Sequence, residues 1–117
     1  RANFISDFDH LTHYFFEAPK KYDDKAFKKA IKPDTEGILR HIEAIIKAIS
    51  DEDFKTENIQ SQIKAWITNE GMGFGKVMMP LRLALVGSLQ GPDVFEIAFL
   101  IGKHETLKRI KNLILEI

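Results

Sequence analysis

The stretch that decides the fold runs from Asp34 to Ile49 and reads DTEGILRHIEAIIKAI. Its apolar residues recur every three or four positions, which places them on one face of an α-helix, and charged residues occupy the other face. The apolar face consists of Ile38, Leu39, Ile42, Ile45, Ile46 and Ile49. Because a β-strand would bury alternate residues instead, the stretch predicts an amphipathic helix that opens at Asp34 or Thr35.

Helical periodicity extends from this stretch in both directions. Before the stretch, helices are predicted over residues 2 to about 16 and residues 23 or 24 to 31. After it, helices are predicted over residues 56–70, with Gly71 as a left-handed C-cap, and over residues 75 to about 88, with a kink at Pro80. The last two predicted helices are residues 92–101, with Pro92 in the first turn, and a helix after Gly102. In the last helix the residues predicted to face inward are Leu107, Ile110, Leu113, Ile114 and Ile117. No stretch has period two, so the sequence predicts an all-α fold, a single compact bundle or cage of six or seven helices.

The length of 117 residues and the hydrophobic content of 44% allow one core, so one domain is expected over residues 1–117. Within it we predict two small helical subdomains, residues 1–70 and 71–117. The longest apolar runs, residues 77–81 and 83–86, are far shorter than the ~20 residues of a membrane span. The absence of cysteine and of a secretion signal favours a cytoplasmic protein.

Charge restricts the surfaces that could meet a nucleic acid. The chain has 17 basic and 17 acidic residues, so it lacks the strong positive field of a self-sufficient nucleic-acid binder. Residues 51–70 are acidic, with only Lys55 and Lys64 to oppose five carboxylates. Any nucleic-acid surface is therefore expected to avoid the helix of residues 56–70.

The patterns typical of enzymes and metal sites are missing or incomplete. The run Gly71–Lys76 resembles a phosphate-binding loop, but Val77 stands where that loop needs Ser or Thr, so a helix connection is the better interpretation. His10 and His13 share a helix face, yet the sequence places no third ligand beside them and Asp9, which favours surface histidines over a metal site. The sequence thus predicts no catalytic residue and no metal ligand.

Arg82 is unusual because its helical neighbours are all apolar. Those neighbours are Met78, Met79, Leu85 and Val86. One interpretation is that Arg82 lays its stem over the rim of the core and keeps its head in water. The other is that a rigid helix presents its guanidinium to base edges or phosphates, close to the chain break at Gly91-Pro92. The residues alone leave both open.

Three blocks in the last part of the chain carry a family resemblance. They are GKVMMPLRLALVG at residues 75–87, GPDVFEI at residues 91–97 and IGKHE at residues 101–105. In this order and spacing they resemble the C-terminal region of bacterial glutamyl-tRNA synthetases, and residues 1–70 resemble the preceding helical subdomain more loosely. Val86 departs from the family pattern, where threonine is common, and so does Gly91, where a side chain often stands.

The resemblance implies a helical cage that grips the anticodon of glutamate tRNA. In that family a separate N-terminal domain binds ATP and glutamate, with Mg²⁺, and its HIGH-type and KMSKS-type signatures are absent from these residues. We therefore expect a fragment of a glutamate-tRNA ligase without a catalytic site or cofactor of its own. Its expected partners are tRNA and the catalytic domain, with no role for DNA or a membrane, and it is expected to be a monomer.

The resemblance also assigns roles to individual positions. The residues that it places at the anticodon are Arg82, Gly91, Pro92, Val94 and Arg1, the last at the third anticodon base. The basic residues expected to contact phosphates are Lys103, Lys108 and Arg109, which otherwise belong to a solvated helix face. Binding by the chain alone is expected to be weak and salt-sensitive.

Two other functions compete with tRNA binding. A helical protein-interaction module would use an apolar groove near Met72, Phe74, Met78 and Met79. A spacer would have no binding function. An exposed concave surface at Arg82 and the Gly91-Pro92 turn would favour RNA, whereas a dominant apolar groove would favour a partner helix.

Overall fold

A computed structural model describes residues 22–87 and 93–117 of the chain. Within these ranges the backbone forms six α-helices and no strand, which confirms the all-α class. The helices are α1 (Asp24–Ala30), α2 (Thr35–Ala48), α3 (Thr56–Glu70), α4 (Phe74–Val86), α5 (Val94–Ile101) and α6 (Lys103–Glu116). The helix predicted over residues 2–16, the histidines in it, and the positions Arg1, Gly91 and Pro92 lie outside the described residues.

Polar side chains and one glycine set the helix ends close to where the sequence predicts them. The carboxylate of Asp23 accepts a hydrogen bond of 2.9 Å from the Ala26 amide and so caps α1. At the start of α2 the hydroxyl of Thr35 accepts from the Lys32 amide at 2.7 Å. The C-cap of α3 is Gly71, whose φ of 67° is the left-handed conformation that glycine adopts without steric cost.

The two helices around the undescribed connection differ slightly from the prediction. Pro80 lies inside α4, as expected, and because it has no amide hydrogen it cannot donate to the Lys76 carbonyl four residues earlier. The kink itself stays a prediction. The next helix, α5, begins at Val94 and not at residue 92, because the carboxylate of Asp93 accepts from the Phe95 amide at 2.9 Å and acts as the N-cap.

The helix α4 occupies the centre of the described structure, since it packs against all five other helices. Its fully buried side chains are Val77, Leu81, Leu83, Ala84 and Leu85. Helices from residues 22–70 pack on helices from residues 71–117, in the pairs α2 with α6, α3 with α5 and α1 with α4. The buried residues of both parts form one hydrophobic core. The division into subdomains at residue 70 stays a prediction.

The inward face of α6 is largely as predicted. Ile110, Leu113 and Ile114 are buried, and Leu107 is half-buried against the core. The prediction for Ile117 is wrong, because its side chain is 44% exposed. It follows the last helical residue, Glu116, and so lies beyond the part of α6 that packs on α2 and α4. None of the helices that the structure describes is long and apolar enough to cross a membrane.

Candidate functional site

Beyond its first turn, α4 has one partly exposed face, and Arg82 lies on it. Residues 75, 78, 79, 82 and 86 recur at helical spacing, and none of them is fully buried. We call this set the α4 stripe; its members are Gly75, Met78, Met79, Arg82 and Val86. Arg82 itself is half-buried on this face. A core helix that contacts every other described helix therefore carries an arginine on its partly exposed face.

The C-terminal end of α4 is held from two sides. Gly87 adopts a left-handed φ of 80° and donates its amide to the Leu83 carbonyl at 2.8 Å. The Gly87 carbonyl accepts from the Asp23 amide at 2.9 Å, which joins this end to the start of α1. From the other side Nη1 of Arg109 donates to the Leu85 carbonyl at 2.9 Å. The last turn of α4, one residue before the undescribed segment 88–92, is thus tied to both α1 and α6.

Arg109 does not face solvent, although it was predicted as a phosphate contact. It is 1% exposed, and its Nε donates to Oε2 of Glu105 at 2.8 Å. A buried cation needs such partners, because leaving its charge unpaired would be costly. A phosphate could not reach this guanidinium without displacing the core around it. The structure therefore assigns Arg109 to the support of α4.

Lys103 also has a structural partner. Its ammonium donates to the carbonyls of Lys47 at 3.1 Å and Ile49 at 2.7 Å, at the C-terminal end of α2. A cation suits that place, because the last carbonyls of a helix lack intrahelical donors and carry partial negative charge. Of the three predicted phosphate contacts, Lys108 is the exposed one, and its role stays a prediction.

The start of α5 contributes to the core. Val94, predicted to lie against splayed bases, is 2% exposed, so its side chain packs inward. Its neighbour Asp93 is exposed and caps the helix. Gly87 and Asp93 are the described residues on either side of the segment that contains Gly91 and Pro92.

An ion pair joins the starts of α4 and α2. The ammonium of Lys76 lies 2.6 Å from Oδ2 of Asp34, and both side chains are largely exposed. The hydrogen bond from Lys76 lowers the pKa of the Asp34 carboxyl below its ordinary value of 3.8. This contact orients the N-terminal end of the α4 stripe relative to α2.

The apolar groove that a partner helix would need is small, and its lining residues differ from those predicted. A cleft of about 550 Å³ lies between α3 and α4. Its lining residues are Lys64, Ile67, Thr68, Gly71, Met72 and Phe74. Lys64 places its ammonium 5.7 Å from the centre of the Phe74 ring, so a cation covers the exposed aromatic. Met78 and Met79 do not line this cleft but belong to the α4 stripe with Arg82.

The described histidines and carboxylates are spread out. In residues 22–87 and 93–117 no three of the His, Asp and Glu side chains form a group that could hold a metal ion. His41 instead stacks on Trp66 with ring centroids 4.3 Å apart and planes 6° from parallel. His104 is exposed on α6.

Comparison with known proteins identifies the family of this fold. A family model described as an anticodon binding domain matches residues 1–114. The chain belongs to the anticodon-binding domain family. Among curated relatives, the glutamate–tRNA ligase of Christiangramia forsetii is 46% identical over 112 residues, 96% of this chain. That of Flavobacterium johnsoniae is 45% identical over 114 residues, 97% of this chain.

Solved structures give the same result for the fold. A glutamate tRNA ligase from Elizabethkingia meningosepticum, in complex with its amino acid, matches 98% of this chain with a TM-score of 0.90 and 43% identity. The glutamate-tRNA synthetase of Elizabethkingia anophelis matches with a TM-score of 0.86. The chain spans 22% of the length of each of these relatives. The likeness therefore concerns this anticodon-binding domain and not the rest of those proteins.

The sequence did not reveal that Arg109 supports the end of α4. Glu105 and Arg109 stand at i and i+4 in the printed sequence, which is a signal for an ion pair on one helix. That spacing usually marks an exposed pair. Nothing local indicates that Arg109 of this domain also reaches the Leu85 carbonyl, 24 residues away.

Proposed function

We propose that this anticodon-binding domain reads the anticodon loop of glutamate tRNA for a glutamate–tRNA ligase. Its own residues supply binding and discrimination. ATP-dependent attachment of glutamate, with Mg²⁺, is assigned to a catalytic domain that precedes it in the parent enzyme. The observation that carries the proposal is the place of Arg82, on the partly exposed face of the central helix, in a chain 46% identical to a glutamate–tRNA ligase.

Recognition of bases requires side chains that are held in fixed positions, and α4 provides such positions. Proteins that recognise RNA sequence act mostly on unstacked bases, which they contact by hydrogen bonds to base edges and by stacking or apolar contact. Arginine has a planar guanidinium that suits base edges. Arg82 shares its face of α4 with the apolar side chains of Met78, Met79 and Val86. Because the opposite faces of α4 are buried, the position of Arg82 is set by the core.

The charge of the domain is consistent with recognition that uses few contacts to the phosphate backbone of the RNA. The net charge is zero, and two of the three predicted phosphate contacts, Lys103 and Arg109, bond protein carbonyls instead. Lys108 remains as the proposed phosphate contact. We therefore propose weak binding of an isolated stem-loop, with affinity that falls as salt rises. Arg1, Gly91 and Pro92 remain proposed contacts through the family resemblance.

Fluorescence polarisation with labelled stem-loops tests the proposal. One loop carries the glutamate anticodon and the other a changed anticodon. We expect tighter binding of the first loop, and we expect Arg82→Ala to weaken it by about tenfold or more and to reduce the preference. Lys111→Ala removes the same charge from an exposed position of α6 and should change affinity far less. Equal binding of both loops by the wild-type chain would overturn the proposal.

The proposal carries two further statements about the protein in the cell. The domain acts as part of a monomer, because the proposed RNA contacts come from one copy of the chain. It acts in the cytoplasm, where tRNA is charged. Size-exclusion chromatography with light scattering tests the first statement, and a dimer mass would contradict it.

A further inference from the structure

We infer that Arg109 is a positioning residue for anticodon reading: it holds the last turn of α4 at the angle at which Arg82 faces the RNA. The inference rests on the proposed function. Arg109 is buried and would not touch the RNA itself. It acts through the backbone carbonyl of Leu85, to which its Nη1 donates at 2.9 Å.

The bond is made within one helical turn of Arg82. Leu85 follows Arg82 by three residues, about 4.5 Å along the helix axis. The Leu85 carbonyl lies in the last turn of α4, where carbonyls lack the amide donors that a continuing helix would supply. Arg109 supplies that donor from α6. A displacement of this carbonyl would therefore tilt the turn that carries the Arg82 side chain.

The Arg109 side chain is itself fixed, which a positioning role requires. Its Nε donates to Glu105 at 2.8 Å while Nη1 donates to the Leu85 carbonyl at 2.9 Å, so one planar group joins a carboxylate of α6 to the backbone of α4. Glu105 is only partly exposed, with 27% of its side chain accessible. Lysine could not make both bonds with the same geometry, because its ammonium lacks the planar fork. The structure thus favours arginine at this position for its shape as well as its charge.

The tie also fixes where the chain leaves α4. Gly87 is held by the Asp23 amide at 2.9 Å, so Arg109 and Asp23 grip the end of α4 from opposite neighbours, α6 and α1. On the other side of residues 88–92, Asp93 caps α5. Arg109 therefore supports the end of α4 next to Gly87 as well as the turn of Arg82.

A matched control comes from the same helix. Thr106 is fully buried, and its hydroxyl donates to the Ala98 carbonyl at the end of α5 at 3.2 Å. Thr106→Val keeps the size of the side chain and removes that buried hydrogen bond, which destabilises the domain without touching the end of α4. It therefore reports what a loss of stability alone does to RNA binding.

The test compares Arg109→Met, Thr106→Val and Arg82→Ala with the double variant Arg82→Ala/Arg109→Met. Each is assayed by polarisation with the two stem-loops, at a temperature where circular dichroism shows it folded. We expect Arg109→Met to lose about tenfold in affinity for the glutamate loop, together with most of its preference for that loop, because Arg82 is no longer aligned with the RNA. The double variant should bind no worse than Arg82→Ala. Thr106→Val should bind like the wild type.

Three results would overturn the inference. They are wild-type preference in folded Arg109→Met, equal losses in Arg109→Met and Thr106→Val at equal stability, and additive losses in the double variant. If Arg109→Met does not fold, Arg109→Lys replaces it; this variant keeps the charge but lacks the planar fork that makes both bonds, and wild-type preference in it would also overturn the inference. Failure of the wild-type chain to distinguish the loops would instead refute the proposed function, and the positioning role with it.

Amide hydrogen exchange gives a readout without RNA. In Arg109→Met the amides of Val86 and Gly87, in the last turn of α4, should exchange faster relative to those in the middle of the helix. Thr106→Val should leave that ratio unchanged. Unchanged local protection in Arg109→Met would contradict the claim that Arg109 orders this turn.

Discussion

Leu83 lies in the interior of α4 with no exposed surface, so its removal measures how much the domain depends on its central helix. Leu83→Ala deletes three carbon atoms, whose transfer from the core costs about 2.4 kcal/mol at about 0.8 kcal/mol each. The cavity left behind raises the expected loss in unfolding free energy to about 3–4 kcal/mol. Leu115 in α6 is 77% exposed. Leu115→Ala is therefore expected to change the unfolding free energy by less than about 0.5 kcal/mol.

Equilibrium urea unfolding measures the difference, because both substitutions replace leucine by alanine inside a helix and so share the change in helix propensity. Trp66, the one tryptophan of the chain, is stacked on His41 and reports unfolding by fluorescence. Circular dichroism provides the second signal. Similar losses in the two variants, or a loss below about 1 kcal/mol for Leu83→Ala, would refute the assignment of α4 to the centre of the core.

Three other predictions concern local features of the domain. Gly71 has a φ of 67°, so Gly71→Ala should lower the unfolding free energy by about 1 kcal/mol. Gly75 lies inside α4 with open space around an added Cβ, so Gly75→Ala should raise the unfolding free energy by about 0.5 kcal/mol. Urea unfolding that shows a change of the same sign for both variants would contradict this. Asp93→Ala removes the cap of α5 and should cost about 1 kcal/mol, and an unchanged thermal melt would argue against the cap. The pKa of Asp34 lies below 3.8, so the Lys76 pair stabilises the fold above that pH and the effect is lost as the pH falls through the lowered pKa. In an NMR titration Lys76→Met should return the Asp34 midpoint toward 3.8, and a midpoint that stays low would contradict the pairing.

The helices were predictable because local signals agree along most of the chain. Residues 56–70 form α3 with the predicted bounds, since apolar spacing and a glycine C-cap point to the same ends. Of the two residues at which the sequence allows α1 to begin, 23 and 24, Asp23 is the cap. The misplaced start of α5 shows a competition between two signals: proline suits a first turn, but the Asp93 side chain bonds the Phe95 amide and sets the start instead.

The site was only partly predictable, because its support consists of long-range contacts. Arg82 was found from its apolar helical neighbours, a local pattern. Arg109 and Lys103 look like residues of a solvated face, yet they bond carbonyls 24 and 54 residues away in sequence. Val94 stands in the family block at the anticodon loop, but it is buried. Helix packing decides these roles, and the local patterns of a single sequence do not show which helices pack together.

The most direct measurement of anticodon reading is an NMR titration of the isotopically labelled chain with the glutamate anticodon stem-loop. We predict that the largest chemical-shift changes fall on the exposed face and last turn of α4, at Arg82, Val86 and Gly87, and that they weaken with the changed anticodon. The cleft at Lys64, Met72 and Phe74 should change little. Shifts concentrated in that cleft, or equal shifts with both loops, would contradict recognition by the α4 stripe.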